Sequence, residues 1–386
     1  MSSVKFTICL PSFGRLSNLV STLTSLSSVS KRNDTEIVVS LNQYSHDIET
    51  RLRSRFSTGN YIFCSTPSQY DMPTNFDYAL SMSSGQYITF IGNDDALMPD
   101  AIDTAIDHFG IHPKSVLSWY RWPYYWNSYA PLSNQLFVHR KCGNICVNTD
   151  VAVEDMLHRY PDFSVLPCVY NSFFPRHIID LMRQYPYRNQ SLNGWPRLWP
   201  KNKVLSLDVF NAFQALAFID DYYFSPYPLT LSGISGKGGG MAYDPTDSIN
   251  KSFADPRITL SGSQSVLLAT DLLTVSELYY QDHPLLSRLT LHAIRKGAFF
   301  RYLTVEHDKY PELLSDFEQI SHEVNQQVAT KNFFGEKRNL IPMLPERLMP
   351  DLKRNLRVVE VSQFGVKTCG DAAELYPELA GKLFAN

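Results

Sequence analysis

Tyr87-Ile88-Thr89-Phe90-Ile91-Gly92-Asn93-Asp94-Asp95 is the stretch on which the reading of this chain turns. Five residues rich in β-branched and aromatic side chains are too short for a helix and read as a strand buried on both faces. A glycine and two acids then follow without a spacer, so the acids stand at the carboxyl end of that strand. Working upstream, Phe6-Thr7-Ile8-Cys9-Leu10 reads as a strand ending at Pro11, Glu36 to Leu41 as a second and Tyr61 to Cys64 as a third. Between them Leu16, Leu19, Leu23 and Leu26 recur at helical spacing, and the basic stretch Arg51 to Phe56 ends another helix. Phe76, Ala79 and Leu80 mark a helix that stops before Gly85. Downstream, Pro99 opens a helix carrying Ala101, Ile102, Ala105, Ile106 and Phe109. This alternation predicts an α/β fold with a mainly parallel, Rossmann-like sheet flanked by helices. Ligands in such sheets bind beyond the carboxyl ends of the strands. The loops Pro11 to Arg15, Asn42 to Asp47 and Gly92 to Asp95 are therefore expected side by side on one rim.

The rest of the chain has a different texture. Residues 115–200 are dense in Trp, Tyr and Pro, and read as irregular structure with short strands. Asp208 opens a helical pattern through Val209, Phe210, Phe213, Leu216 and Ala217, and Tyr222 to Leu231 reads as a strand. Gly233 to Gly240 is glycine-rich. Beyond about residue 260, Val266 to Tyr280, Leu285 to Val305 and Pro311 to Ala329 show helical spacing, giving a C-terminal helical region to residue 386.

Composition removes several classes of function. Of 386 residues 44% are hydrophobic and 19% charged, enough apolar material for a full core. Lys plus Arg is 35 against 38 Asp plus Glu, so no bulk field favours nucleic acid. No apolar run reaches the roughly 20 residues of a bilayer span. The start MSSVKFTICL lacks the pattern of a secretory signal. The six scattered cysteines read as reduced thiols of a cytosolic protein. His139, Cys142 and Cys146 lack zinc-site spacing and read as a turn at Gly143 between short strands. The ten histidines show no metal-binding pair.

Two carboxylates at a strand end suit a hard divalent cation, which in turn binds diphosphate oxygens; the alternative is a loop whose acids merely precede the helix at Pro99. FTICLPSFGR, EIVVSLN and NFDYALSMSSGQYITFIGNDDALMPDAI together resemble glycosyltransferase family 2, the inverting enzymes of GT-A fold found in bacterial surface-polysaccharide synthesis. The likeness runs over roughly residues 4–245, through SLDVFNAFQALAF and PLTLSGISGKGGGMA, and is strongest in the first 110. It implies a nucleotide-sugar-binding half at 1–112, an acceptor-binding and catalytic half at 113–258, and the helical region at 259–386. The metal-binding Asp of the family's D-x-D motif falls on Asp94, with Mn2+ or Mg2+ as the ion, although Gly92 stands at the motif's first acid. Asp95, the next acid, is placed with it at the metal as a support. Asn93 falls where the ribose or donor sugar is touched. Pro11, Ser12 and Phe13 match the loop around base and ribose, and Arg15 faces the base or a phosphate. The Asp that hydrogen-bonds uracil is replaced by Leu41 or Asn42. Asn42 still offers an amide to a pyrimidine edge, and guanosine, thymidine and cytidine donors stay open beside uridine.

The family's catalytic base opens a helix in the second half of the domain, which is Asp208 here; Asp220 and Asp221 are its rivals. An Asp there also reads as an ordinary N-cap. Lys237, in the glycine-rich segment, is placed on a lid that neutralises leaving-group charge, against an ordinary surface loop. The aromatic-rich middle is expected to stack on acceptor rings. Phe299-Phe300-Arg301-Tyr302 reads as core with solvated cations, or else as a contact to an anionic membrane surface at the cytoplasmic face. Oligomeric state stays open. The function implied is transfer of a hexosyl or N-acetylhexosaminyl group from a nucleoside-diphosphate sugar to a saccharide or lipid-linked saccharide hydroxyl. The alternatives are a sugar-nucleotide pyrophosphorylase, which lacks its G-x-G-T-R loop here, and a non-catalytic binding or scaffold protein on the same fold.

Overall fold

The computed structural model describes residues 5–67, 69–129, 132–158, 165–184, 191–192, 195–200, 206–235, 254–255, 257–258, 263–281, 283–284, 286–302, 310–317 and 354–385. The first half alternates as expected: β1 (Phe6–Phe13), α1 (Leu16–Ser25), β2 (Thr35–Asn42), α2 (His46–Arg55), β3 (Tyr61–Ser65), α3 (Met72–Ser81), β4 (Tyr87–Phe90), β5 (Ala96–Leu97) and α4 (Ala101–Ile111). The middle supplies β6 (Val116–Trp119), β7 (Pro123–Tyr125), β8 (Gln135–His139), β9 (Ile145–Asn148), α5 (Thr149–His158), β10 (Ser172–Pro175), α6 (Arg176–Gln184), β11 (Ser191–Leu192) and β12 (Trp195–Pro196). Then come α7 (Leu207–Ala215), β13 (Asp221–Ser225), β14 (Thr230–Ile234), α8 (Gln264–Val275), α9 (Leu291–Arg301), β15 (Leu356–Glu360) and α10 (Cys369–Leu383).

An eight-stranded sheet runs in the order β3-β2-β1-β4-β10-β6-β13-β9. β3, β2, β1 and β4 are mutually parallel, β6 and β13 are parallel, and β10 and β9 run against their neighbours. Both faces of its central strands are buried, which is why β1, β2 and β4 read as unbroken apolar runs. A second sheet, β15-β8-β7-β14-β5, stands against the acid loop through β5 and β14.

β1 passes the expected stop at Pro11 and continues to Phe13. The Cys9 carbonyl accepts from the Ile91 amide, so residue 9 faces β4, and Pro11, two residues on, faces the same way. Pairing with β4 has ended at Cys9, and the missing proline N–H costs no ladder bond. The run Tyr222 to Leu231 is two strands in two sheets, separated at Pro226. The region beyond 260 contains the expected helices and also β15, which pairs antiparallel with β8. α8 packs on α7, with the Gln214 amide donating to the Tyr279 hydroxyl at 2.8 Å. α10 opens with a capping box of Thr368 and Asp371 and packs on α1, β5 and β14.

Candidate active site

The segment 92–95 leaves β4 and is fixed from three sides. The Thr22 hydroxyl of α1 donates to the carbonyls of Asn93 (2.6 Å) and Asp95 (3.1 Å). The Asp95 carboxylate, nearly fully buried, accepts from the Gly92 amide at 3.1 Å, the Gly233 amide at 3.0 Å and Arg121 Nη2 at 3.2 Å. These donors occupy it, so its placement fits a support of the loop. Gly92 stands where a first acid was sought, and a Cβ there would meet Asp95 Oδ2 at 2.9 Å. Because that carboxylate is tied down, position 92 has no room for a second acid. Gly233 is equally constrained, since its Cβ would fall 1.7 Å from the Asp94 carbonyl oxygen.

Asp94 is the half-free member of the pair, with its side chain 18% exposed. The Ser235 hydroxyl donates to its Oδ2 at 3.3 Å and Arg15 Nη1 lies 3.6 Å away. Burial and the neighbouring Asp95 push its carboxyl up to about 6, while Arg15 and Ser235 pull it down. Asn93 Oδ1 is buried and has no hydrogen-bond partner among the described residues. That leaves one partly exposed carboxylate and one orphaned amide oxygen on adjacent residues of the same loop.

The end of β1 forms the adjoining rim. Gly14 and Arg15 both take left-handed backbone (φ 61° and 48°), which turns the chain into α1 and aims Arg15 at Asp94. Ser12 Oγ and the Tyr44 hydroxyl share a hydrogen bond of 2.8 Å, and that hydroxyl also bonds the Gly14 carbonyl. Pro11 and Ser12 are buried, whereas Phe13 is 58% exposed. Asn42 lies beside Phe13 in register, but its amide is engaged: Nδ2 donates to the Tyr70 carbonyl at 2.8 Å, and Oδ1 accepts from the Tyr70 amide and Thr66. It holds the loop before α3.

Asp208 reaches this region through one residue that the sequence reading missed. Arg121 follows β6, and its Nη1 lies 3.8 Å from Asp208 Oδ2 while Nη2 holds Asp95. The Ser232 hydroxyl (3.1 Å) and the Tyr170 ring (5.0 Å) fix the same guanidinium. Burial disfavours its charge, but Asp95 and Asp208 more than offset this and raise its pKa. Burial, followed by the nearby carboxylates, pushes the Tyr170 phenol well above its usual value. An arginine directly after a buried strand was the available signal, hidden in WYRWPYYW. Ser206 rather than Asp208 occupies the N-cap of α7, and it makes no side-chain cap bond. Asp208 sits in the first turn, 27% exposed. Asp221 opens β13 and Asp220 precedes it, so both lie at the end of that strand opposite Ser225 and the site. Lys237 lies outside the described residues.

One expectation is corrected. Trp119, Trp122, Tyr124 and Trp199 are fully buried and form core instead of an acceptor platform. Each indole finds an internal acceptor: Thr230 Oγ1 for Trp119, the Pro226 carbonyl for Trp122 and the Leu207 carbonyl for Trp199. His139, Cys142 and Cys146 hold no metal-ligating cluster among the described residues. His139 is buried against the Arg140 carbonyl and both thiols are exposed.

A mainly parallel sheet carries an acid loop beyond its carboxyl edge, with a second carboxylate linked to that loop through Arg121, in an α/β fold of GT-A type. Residues 7–160 match the family model described as Glycosyl transferase family 2. Among solved structures, S. aureus TarS 1-349 in complex with UDP-GlcNAc is 13% identical, with a TM-score of 0.51 over 83% of this chain and 79% of that one. The same protein in complex with UDP is 12% identical over 83% and 78%, with a TM-score of 0.49. The mannosyltransferase PcManGT from Pyrobaculum calidifontis, in complex with GDP-Man and Mn2+, is 12% identical over 83% and 81%, with a TM-score of 0.42. Of these three, the first bears on the fold. A search of curated proteins gave no match. No described helix is long and apolar enough to cross a membrane.

Proposed function

We propose that this protein transfers a sugar from a nucleoside-diphosphate sugar to a hydroxyl of a saccharide or lipid-linked saccharide, with inversion. One observation carries the reading. A single guanidinium, Arg121, contacts both the acid loop through Asp95 and the helix-borne carboxylate Asp208. This supports a shared site for the two groups that the chemistry needs.

The charges favour a cation. Among the described residues Asp94, Asp95 and Asp208 face Arg15 and Arg121, which leaves one net negative charge before a diphosphate arrives. Hard cations such as Mg2+ are commonly held by one or two carboxylates plus substrate phosphates. Asp94 and the orphaned Asn93 oxygen fit that donor set for Mn2+ or Mg2+. Bound there, the ion supplies neutralisation of the departing diphosphate.

The chain's own residues do the rest. Arg15 is placed to leave Asp94 for a phosphate oxygen, and Phe13 offers an exposed ring to the base. Asp208 accepts the proton of the acceptor hydroxyl as its oxygen bonds the anomeric carbon and the bond to the diphosphate breaks on the opposite face. With the Asn42 amide engaged by Tyr70, base selection falls to the rim around Phe13 and Tyr44; UDP is the first donor to test. A binding protein without turnover is the second reading, favoured by the closed positions at Gly92 and Asn42. A nucleotide-sugar screen that reads released nucleoside diphosphate tests both. Turnover that is lost in Asp94→Ala and Asp208→Asn supports the transferase, and turnover unchanged in both removes it.

A further inference from the structure

Arg121 belongs to neither the acid loop nor the helix of Asp208, yet it is the described side chain that touches both. Its Nη2 end is tied on the loop side, to Asp95 Oδ2 at 3.2 Å and Ser232 Oγ at 3.1 Å. The Tyr170 ring, 5.0 Å from its Cζ, limits rotation of the plane. Its Nη1 end stands 3.8 Å from Asp208 Oδ2, beyond the roughly 3.2 Å limit of an N–H···O bond. The contact there is Coulombic, and among the described residues no hydrogen bond engages the Asp208 carboxylate, whose side chain is 27% exposed.

We propose that Arg121 is a positioning residue that sets Asp208 against the acid loop, so that the general base is aligned through a rigid fork anchored on Asp95 and Ser232. The proposal rests on the transferase reading above. A planar guanidinium reaches two carboxylates at fixed spacing, whereas an ammonium on a flexible stem satisfies one. Asp95 thus has two tasks, shaping the loop that presents Asp94 and holding the fork that orients the base. With the fork anchored, the positive charge that Asp208 faces is fixed relative to the acid loop. If the fork is cut, the nucleotide still finds its loop while Asp208 loses its heading.

The test is Arg121→Lys, which keeps a charge for Asp95 but not the span to Asp208. The expected result is a kcat lower by about 10- to 100-fold, the scale of a displaced catalytic group, with the nucleotide Kd by calorimetry changed less than about threefold. In the Asp208→Asn background the same substitution is expected to cost little more, because residues acting as a unit are non-additive. Ser232→Ala, which loosens one anchor without touching charge, is expected to show a smaller fall in kcat with the same unchanged Kd; it decides the matter if the lysine variant does not fold. An unchanged kcat, a kcat that falls only as nucleotide binding falls, or losses that multiply in the double variant would each overturn the proposal. Absence of diphosphate release from every donor by the unmodified protein would instead strike the transferase reading.

Discussion

The two neighbouring acids should answer the same substitution in opposite ways. Asp94 is ionised at neutral pH at the expense of the fold, because burial and Asp95 raise its carboxyl from 3.8 to about 6. A carboxyl whose native value lies above its unfolded value binds a proton more readily in the native state. Its contribution to stability is full below pH 4 and lost as pH rises through 6. The shift corresponds to at most about 3 kcal/mol at pH 7.5. Asp94→Asn removes that charge, so the metal-free protein should gain about 1–3 kcal/mol at pH 7.5 and nothing near pH 4. Asp95→Asn removes the main partner of a partly buried guanidinium and weakens two backbone contacts, and should cost about 2–3 kcal/mol. Denaturant melts at both pH values, without metal, measure this directly. If Asp94→Asn destabilises as much as Asp95→Asn, then Asp94 is a structural acid and its assignment to the cation is wrong.

Three further outcomes are expected. Gly233→Ala drives a methyl into the Asp94 carbonyl and separates β14 from the acid loop; it should cost about 2–4 kcal/mol by chemical denaturation and weaken nucleotide binding. Thr22→Val leaves the Asn93 and Asp95 carbonyls without their shared donor. About 1–3 kcal/mol should be lost, with a higher donor KM in steady-state assays. Burial and the adjacent His112 lower the His108 imidazole from 6.5 to about 4, and its Nε2 has no hydrogen-bond partner among the described residues. The unfolded chain therefore takes up that proton first, and stability should fall by up to about 3 kcal/mol as pH drops from 6.5 to 4. His108→Leu should flatten the curve, as thermal melts across that range would show.

Much of the fold was legible because β1, β2 and β4 are buried on both faces and cannot be mistaken for amphipathic helices. β1 to β4 and the helices between them follow the runs and spacings that precede and follow Tyr87 to Asp95. What escaped the sequence was long-range pairing. Nothing local shows that the run from Tyr222 splits between two sheets, or that Leu356 to Glu360 returns to β8. The site divides in the same way. Asp94, Asp95 and Arg15 were placed by one loop and one strand end, whereas Arg121 matters through partners 26 and 87 positions away, Asp95 and Asp208. The amide of Asn42 looked free in sequence and is taken by Tyr70, and the tryptophans looked like a sugar platform yet supply core. In each case burial decided the role, and burial is set by the whole sheet.

The most direct test is calorimetry of UDP with the unmodified protein and with Asp94→Ala, each with and without Mn2+. Binding that needs both the ion and Asp94 is the result expected. Equal binding by the alanine variant, or binding indifferent to the ion, would contradict the assignment of Asp94 as the residue that joins cation and diphosphate.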